Sequence, residues 1–316
     1  MHQLRPLVQL QQTSRPVWIH RFVRFLLVGM AGCLSSPGLA SAAPVVEVLV
    51  SEPTGIYQET AASLSQTLNR DGWMITVAVP ERAPTNGRNL TVAIGTKALE
   101  TALARPERPV LALLVPRSTY ERLASGQHQV SALYLDQPLT RQLRLLGLAL
   151  PGLKKAGATL GPASRGLQAE LQSAAKASGI QVNSAVIDQG SDLYAALTEL
   201  AEDSQAFLLL PDPVVVQRGA LQNFFLHTYR LKKPVLAYSA PLVKSGALLG
   251  LYATPAQLGG EAAGWISASW SGGAFHLGAP RYPKRFTIGI NRTVARSLEI
   301  DLPSEEALGR RLEAMP

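Results

Sequence analysis

From Val45 onward, short apolar runs alternate with segments whose apolar residues return every three to four positions. That rhythm predicts strands alternating with amphipathic helices. The runs cover residues 45–50, 74–79, 90–94, 110–115, 131–135, 156–160, 181–187, 207–210, 235–238 and 248–252. Several are apolar at consecutive positions, as expected of parallel strands covered on both faces. Between them, Tyr57, Ala61, Leu64 and Leu68 fall on one helical stripe, as do Leu139, Leu143, Leu146 and Leu150, and again Leu193, Leu197 and Leu200. Punctuation agrees: Gly179 closes the helix that starts near Ser164, and Thr254-Pro255 supplies a cap and first-turn proline for a helix running to about Trp270.

Five runs precede Gln137 and five follow Ala156, which predicts two similar α/β units joined around a helix from Pro138 to Leu150. The expected division is an amino-terminal export segment at 1–42, a first lobe at 43–137, a hinge helix and second lobe at 138–253, and a return segment at 254–316 that packs on the hinge and first lobe. No repeat with a period of 20 to 50 residues is visible, which excludes solenoids and propellers.

The chain has 316 residues, of which 47% are hydrophobic and 16% charged. Such a composition excludes disorder and coiled coil. Its formal charge of +8 points to nucleic acid only until it is located. Arg5, Arg15, Arg21 and Arg24 precede residue 43, no acidic residue does, and the remaining chain is mildly basic without a stripe of interleaved aromatics. No nucleic-acid partner is expected.

The basic amino end is followed by an apolar stretch from Phe25 to Met30 and a small, uncharged one to Ala43, the layout of an export signal. Ala40 and Ala42 place the cleavage after Ala42, in a periplasmic protein; the alternative is acylation of Cys33 within Met30-Ala31-Gly32-Cys33. An uncleaved anchor would need about 20 apolar residues, more than this stretch offers. A single cysteine excludes a disulfide framework and a cysteine-rich zinc site.

Enzymatic signatures are absent. There is no nucleophile elbow, Walker loop, zinc-protease helix or dinucleotide fingerprint. Gly95-Thr96-Lys97 lacks the upstream glycine of a phosphate loop and reads as a strand-to-helix turn. His128, His227 and His276 are far apart, and the acids Asp188, Asp192, Glu199, Glu202 and Asp203 spread over helix faces and turns as a solvated rim. No catalytic residue, metal or cofactor is expected, and the chain is read as a non-enzyme.

In open parallel sheets, ligands settle at the carboxyl ends of strands, where helix amino termini converge. Those ends carry Ser51, Thr54, Thr96 and Asp136 in the first unit, and Ser164, Asp212, Ser239 and Tyr252 in the second. These eight are the candidate ligand contacts, in a lining of small hydroxyls with an occasional aromatic or carboxylate that suits reversible capture of a small organic solute. Each hydroxyl is equally a helix cap, and Asp212 can either hold an amine or hydroxyls of the solute or cap the helix beginning near Pro213.

Beyond these features, Leu208-Leu209-Leu210-Pro211-Asp212-Pro213, Lys233-Pro234-Val235-Leu236-Ala237-Tyr238-Ser239 and Lys244-Ser245-Gly246-Ala247-Leu248 resemble the ABC-transporter substrate-binding family that includes tryptophan and tyrosine binders. Phe286 to Asn291 and Ala295 to Pro303 are similar to that family's closing strand, asparagine and final helix, and Tyr134-Leu135-Asp136-Gln137-Pro138 with Leu160-Gly161-Pro162 extend the match. The resemblance implies two Rossmann-like lobes of the type I periplasmic binding fold, closing about a hinge on a solute that is handed to an ABC permease. One departure stands out: where the family carries an aspartate-proline-valine turn, this chain has Val115-Pro116-Arg117-Ser118-Thr119-Tyr120. Aromatic amino acids are therefore not assumed. The expected protein is a monomeric solute binder; the alternative is an envelope interaction protein on the same scaffold without transport cargo.

Overall fold

The first unit begins with β1 (Val45–Val50), α1 (Gly55–Arg70), β2 (Met74–Ala78), β3 (Leu90–Ile94) and α2 (Thr96–Leu103), and ends with β4 (Val110–Leu113), α3 (Arg117–Ala124) and β5 (Val130–Leu133). The second opens with α4 (Leu139–Ala149), β6 (Lys155–Leu160), α5 (Gln168–Ser178), β7 (Gln181–Val186), α6 (Leu193–Glu202) and β8 (Ala206–Leu208). It continues through α7 (Pro213–Val216), α8 (Arg218–Arg230), β9 (Val235–Ala237), α9 (Ala240–Ser245) and β10 (Leu249–Tyr252). Thereafter come α10 (Pro255–Ser269), the hairpin β11 (Trp270–Ser271) and β12 (Ala274–Phe275), then β13 (Thr287–Ile290), α11 (Arg292–Ser297) and α12 (Glu305–Glu313). The computed structural model describes residues 44–82, 89–105 and 108–315. The export segment, its cleavage position and Cys33 lie outside the described residues.

Every strand of the first sheet is parallel, in the order β2-β1-β3-β4-β5. In the second sheet the order is β13-β10-β9-β8-β6-β7, with β13 alone antiparallel to its neighbour β10. Without β13, the second sheet repeats the strand order of the first, so the two lobes are topological copies. Each sheet is covered on both faces, which is why β3 and β4 are buried at every position and read as unbroken apolar runs. In the first lobe, Leu64 and Leu68 of α1 pack with Leu258, Ala262 and Ile266 of α10 on one face, and Leu99, Tyr120 and Ala124 fill the other. In the second, Leu143 and Leu146 join Leu171, Leu308 and Leu312 on one face, opposite Leu193, Leu197, Phe224 and Leu242. A Cβ at Gly259 would fall 2.8 Å from the backbone nitrogen of Leu64, so glycine permits the close approach of α10 to α1.

Two expectations need correction. The return segment is shared between the lobes: α10 covers the first sheet, but β13 extends the second, and α11 and α12 pack on it, because Ile288, Ala295, Leu308 and Leu312 complete the same apolar cluster as β6, β8 and β10. The final helix is not Ala295 to Pro303 but α12. Helix α11 ends at Ser297, Glu299 takes a left-handed φ of 59°, and Ser304 caps the next helix through Ala307 N at 3.1 Å. Helix α4, at the expected junction, packs its leucines into the second lobe's core. The crossings themselves are non-helical chain at 134–138, 253–254 and 276–286, and the third runs beside β5, where Arg281 N donates to Ala132 O at 2.8 Å and its carbonyl accepts Tyr134 N at 3.0 Å.

Candidate functional site

In both sheets the strand order reverses at the first strand, between β1 and β3 and between β6 and β8. The loops that leave such neighbours in opposite directions open a crevice at their carboxyl ends. Five of the eight candidate contacts stand at these points.

In the first lobe, Ser51 follows β1 and Thr96 opens α2. Ser51 Oγ accepts the Ala98 amide at 3.0 Å, so it caps a helix that begins after a glycine. Gly95 has φ of 93°, and a Cβ there would meet Ser51 Oγ at 2.5 Å and the Tyr57 ring at 2.6 Å. The tyrosine therefore lies directly on the turn. Thr54 is exposed at the start of α1 and makes no side-chain cap.

Residues 161–165 and 211–213 form one knot in the second lobe. Asp212 Oδ2 accepts Ser164 N at 2.8 Å, Ser164 Oγ at 2.8 Å and Ala163 N at 3.0 Å, and Oδ1 accepts Val214 N at 3.0 Å. Ser164 Oγ in turn accepts Gly161 N at 2.9 Å. Both side chains are buried, and a Cβ on Gly161 would land 2.1 Å from Asp212 Oδ1. Of the two roles open to Asp212, capping is the one the geometry fills. Both its oxygens are occupied, and with Ser164 it ties the loop after β6 to the loop after β8.

Asp136 is different. It follows β5, is buried, and its Oδ2 accepts the Arg117 backbone amide at 2.6 Å, capping α3 from outside because Pro116 offers no side-chain cap. No basic side chain pairs with it among the described residues. Burial outweighs the helix-end hydrogen bond and pushes its carboxyl up to about 6. Ser239 caps α9 through Leu242 N at 3.4 Å, and Tyr252 lies over Gly250 and Gly289 at the sheet edge. The structure brings neither of these into contact with the other candidates.

Three residues outside the candidate set complete the gap. Tyr238, the residue after β9, is only 9% exposed, and its hydroxyl has no hydrogen-bond partner among the described residues. Burial, then the charges of Asp136 and Asp212 and the neighbouring Tyr57, hold that hydroxyl protonated far above its ordinary range. It is thus a phenol of the second lobe within electrostatic reach of an acid and a tyrosine of the first. The strand-end position of Tyr238 was the signal for it, but an apolar run ending in tyrosine also fits plain core. Burial likewise raises the hydroxyl of Tyr57, with Glu52 adding to the effect.

Arg117 is the third. It stands in the turn where this chain departs from the resembled pattern, after Leu114, which takes a left-handed φ of 54°. Its Nη1 pairs with Glu170 of α5 and donates to Tyr282 Oη at 2.8 Å, while Nε donates to Glu121 at 2.6 Å. One side chain therefore joins the first lobe, the second lobe and the third crossing. Beneath it, Leu135 packs against apolar clusters of both lobes. Tyr282, stacked edge-on with Tyr134 at 5.1 Å, has its hydroxyl pushed up to about 12 by burial.

A cavity of about 680 Å³ opens at the opposite, amino-terminal ends of β3, β4 and β5, between Asn89, Pro109, Gln129 and the hairpin residues Trp270 and Phe275. Among the described residues its lining holds no carboxylate, and it lies away from both reversal points, where ligands of open parallel sheets settle. No group of three metal-ligating side chains occurs among the described residues, and no helix there is long and apolar enough to cross a membrane.

Solved structures share this fold. A conserved domain protein from Vibrio cholerae matches with a TM-score of 0.62 at 22% identity, over 85% of this chain and 98% of its own. The ABC domain from Streptococcus pneumoniae in complex with L-Trp has a TM-score of 0.62 at 16% identity, covering 84% and 98%. A ligand-free, open substrate-binding protein with adhesive properties from Clostridium difficile has a TM-score of 0.63 at 18% identity, covering 84% and 97%. None of the curated proteins matches. The two parallel α/β lobes are those of the type I periplasmic binding fold. The model of the ABC transporter substrate binding protein family matches residues 74–310, and the chain belongs to that family.

Proposed function

We propose that the protein is the exported solute-binding component of an ABC-type uptake system and holds a small organic solute between its two lobes at the paired reversal points. The observation that supports this reading is the pair of parallel sheets, each reversing its strand order at its first strand, in a chain of the ABC transporter substrate binding protein family. Leu135 and the Arg117–Glu170 pair link the two lobes, and the three crossings supply the hinge for an opening motion. A solute touching both lobes favours the closed state by its contacts to the far lobe.

Of the eight candidate contacts, Ser51, Thr54, Thr96 and Asp136 remain on the first lobe's wall of the gap, and Ser239 and Tyr252 on its margin. Ser164 and Asp212 serve by shaping the wall opposite. The leader at 1–42, removed after Ala42 or through acylation of Cys33, delivers the protein to the periplasm as a monomer that docks on a permease and carries out no reaction. A second reading, surface recognition on the same scaffold, is favoured by the exposed Tyr194, Leu226 and Tyr229 of the second lobe. Thermal unfolding of the mature protein against a library of amino acids, amines, purines and sugars tests the first reading. Solute capture predicts a rise in Tm for one chemical class; unchanged Tm with every class, together with a protein partner recovered by crosslinking, overturns it.

A further inference from the structure

The second lobe carries a trough at the amino end of β10, the opposite end of the sheet from the strand ends where a solute settles. Asn291, which follows β13, fixes its place by donating its amide to Leu248 O at 2.9 Å, just ahead of β10. Half of the trough is a cavity of about 630 Å³ between α8 and Val294 of α11. The other half, about 650 Å³, runs between Lys244 near the end of α9 and Arg292, and the two halves share Ser245, Gly246 and Val294. Gly246 shapes the floor: its φ is 141°, and a Cβ there would fall 3.1 Å from the Phe225 ring, so the turn after α9 presses on α8.

One wall is apolar and the rim is basic. Leu221, Phe225, Leu226 and Tyr229 form a stripe along about two turns of α8, or about 12 Å. Leu226 and Tyr229 are 49% and 48% exposed, and the Tyr229 hydroxyl bonds to Ser297, tying α8 to α11. From Pro213 to Gly260 the chain holds no Asp or Glu, nor does α11. Among the described residues no carboxylate lines either cavity. Lys244 on the rim, Arg230 one turn beyond Leu226, and Arg296 one turn beyond Arg292 are exposed and pair with no acid there, whereas Arg292 is held by Glu305.

We propose that this trough is a docking site for an acidic amphipathic helix of a protein partner, whose apolar ridge lies between α8 and α11 and whose carboxylates meet Lys244, Arg230 and Arg296. Apolar anchors at i, i+3 or i+4 and i+7 extend about 10 Å along a helix, the length of the α8 stripe. The charge decides the partner's sign: a basic helix would be repelled by a rim without acids, and an acidic one supplies the missing counter-ions. A bilayer surface is flat and reaches poorly into an apolar wall sunk between two helices, whereas a helix is itself a ridge. The inference goes beyond solute capture and does not depend on it, because trough and strand-end gap lie at opposite ends of the sheet.

The test is fluorescence anisotropy of the full mature protein with a panel of labelled helical peptides of about 18 residues, each with a leucine stripe of varied spacing, flanked by Glu in one set and Lys in the other. The expected result is that members of the Glu set bind with Kd below about 100 μM and weaken at least about fivefold when salt rises from about 50 to about 500 mM. Leu226→Glu should weaken that binding more than about tenfold, and Lys244→Glu should weaken the Glu set while strengthening the Lys set. Both residues are exposed, and circular dichroism with Tm establishes that the variants are folded. Absence of binding by the whole Glu set, equal binding of both sets, or binding indifferent to both substitutions overturns the proposal. Sedimentation with phosphatidylglycerol vesicles that is lost in both variants, without peptide binding, overturns it in favour of a membrane surface. The Tm response to the solute library is read separately, so either conclusion can fail alone.

Discussion

Asp136 accepts the backbone amide of Arg117 at 2.6 Å, while the guanidinium of that arginine turns the other way, to Glu170 in the second lobe. The acid facing the gap and the tie across the gap are thus built on one residue of one turn. The guanidinium pairs directly with Glu170 and Glu121, so its charge reaches the Asp136 carboxylate only at longer range. The following expectations come from that arrangement and from the knot opposite it.

Asp136 lowers stability at neutral pH. Its carboxyl is raised from 3.8 to about 6 in the folded protein, so the folded state holds the proton more tightly than the unfolded chain does. The sign follows: this group's contribution is best below about pH 4, declines as the pH rises to about 6, and at pH 7.5 the cost is about 3 kcal/mol. Asp136→Asn is expected to raise Tm at pH 7.5 and to match the wild type near pH 4. A Tm difference that does not change with pH contradicts the assignment.

The Arg117–Glu170 pair governs lobe separation more than stability. Its side chains are 27% and 34% exposed, so solvent screens it and its removal costs less than about 1 kcal/mol. Glu170→Ala is expected to leave Tm nearly unchanged but to increase the radius of gyration of the solute-free protein in small-angle X-ray scattering. An identical scattering profile would show that the pair does not hold the lobes together.

The Asp212 knot is structural. Four donors converge on its two oxygens, and Asn replaces one of those acceptors with a donor, so Asp212→Asn should cost about 2–3 kcal/mol in denaturant unfolding. Gly161→Ala presses a methyl group against the same carboxylate and should cost a similar amount. The double variant should lose less than the sum of the two, since both break one knot. Strict additivity would show that the two positions are independent.

Tyr238→Phe separates recognition from stability. Its hydroxyl bonds to nothing in the described residues, so its removal should leave Tm equal or slightly higher. Affinity for the solute should fall about tenfold, the loss of one hydrogen bond of about 1.4 kcal/mol. A marked fall in Tm with unchanged affinity would return Tyr238 to the core.

Most of the fold is legible in the sequence because doubly covered parallel strands leave unmistakable apolar runs; residues 45–50 and 90–94 match β1 and β3 at both ends. The misreading of Ala295 to Pro303 has a local cause. The resemblance carried a helix through this stretch, but Glu299 adopts the left-handed region and the chain leaves the helix after Ser297 to seat Leu302 in the second lobe. The reversal points were visible as hydroxyl-rich strand ends, yet nothing in the spacing of Ser164 and Asp212, 48 positions apart, distinguishes a ligand contact from an internal knot. The electrostatic coupling of Tyr238 to Asp136 was not legible at all, because the two stand in different lobes. Arg117 announced itself as a departure from a pattern, and only the fold shows that the departure reaches Glu170.

The most direct test of the account is the crystal structure of the mature protein with the solute that raises its Tm most. The account predicts the solute between the lobes, at the carboxyl ends of the strands beside the two reversal points. A solute seated elsewhere, such as in the cavity at the amino-terminal ends of β3 to β5, or lobes closed on each other with Tyr238 packed and nothing between them, would contradict it.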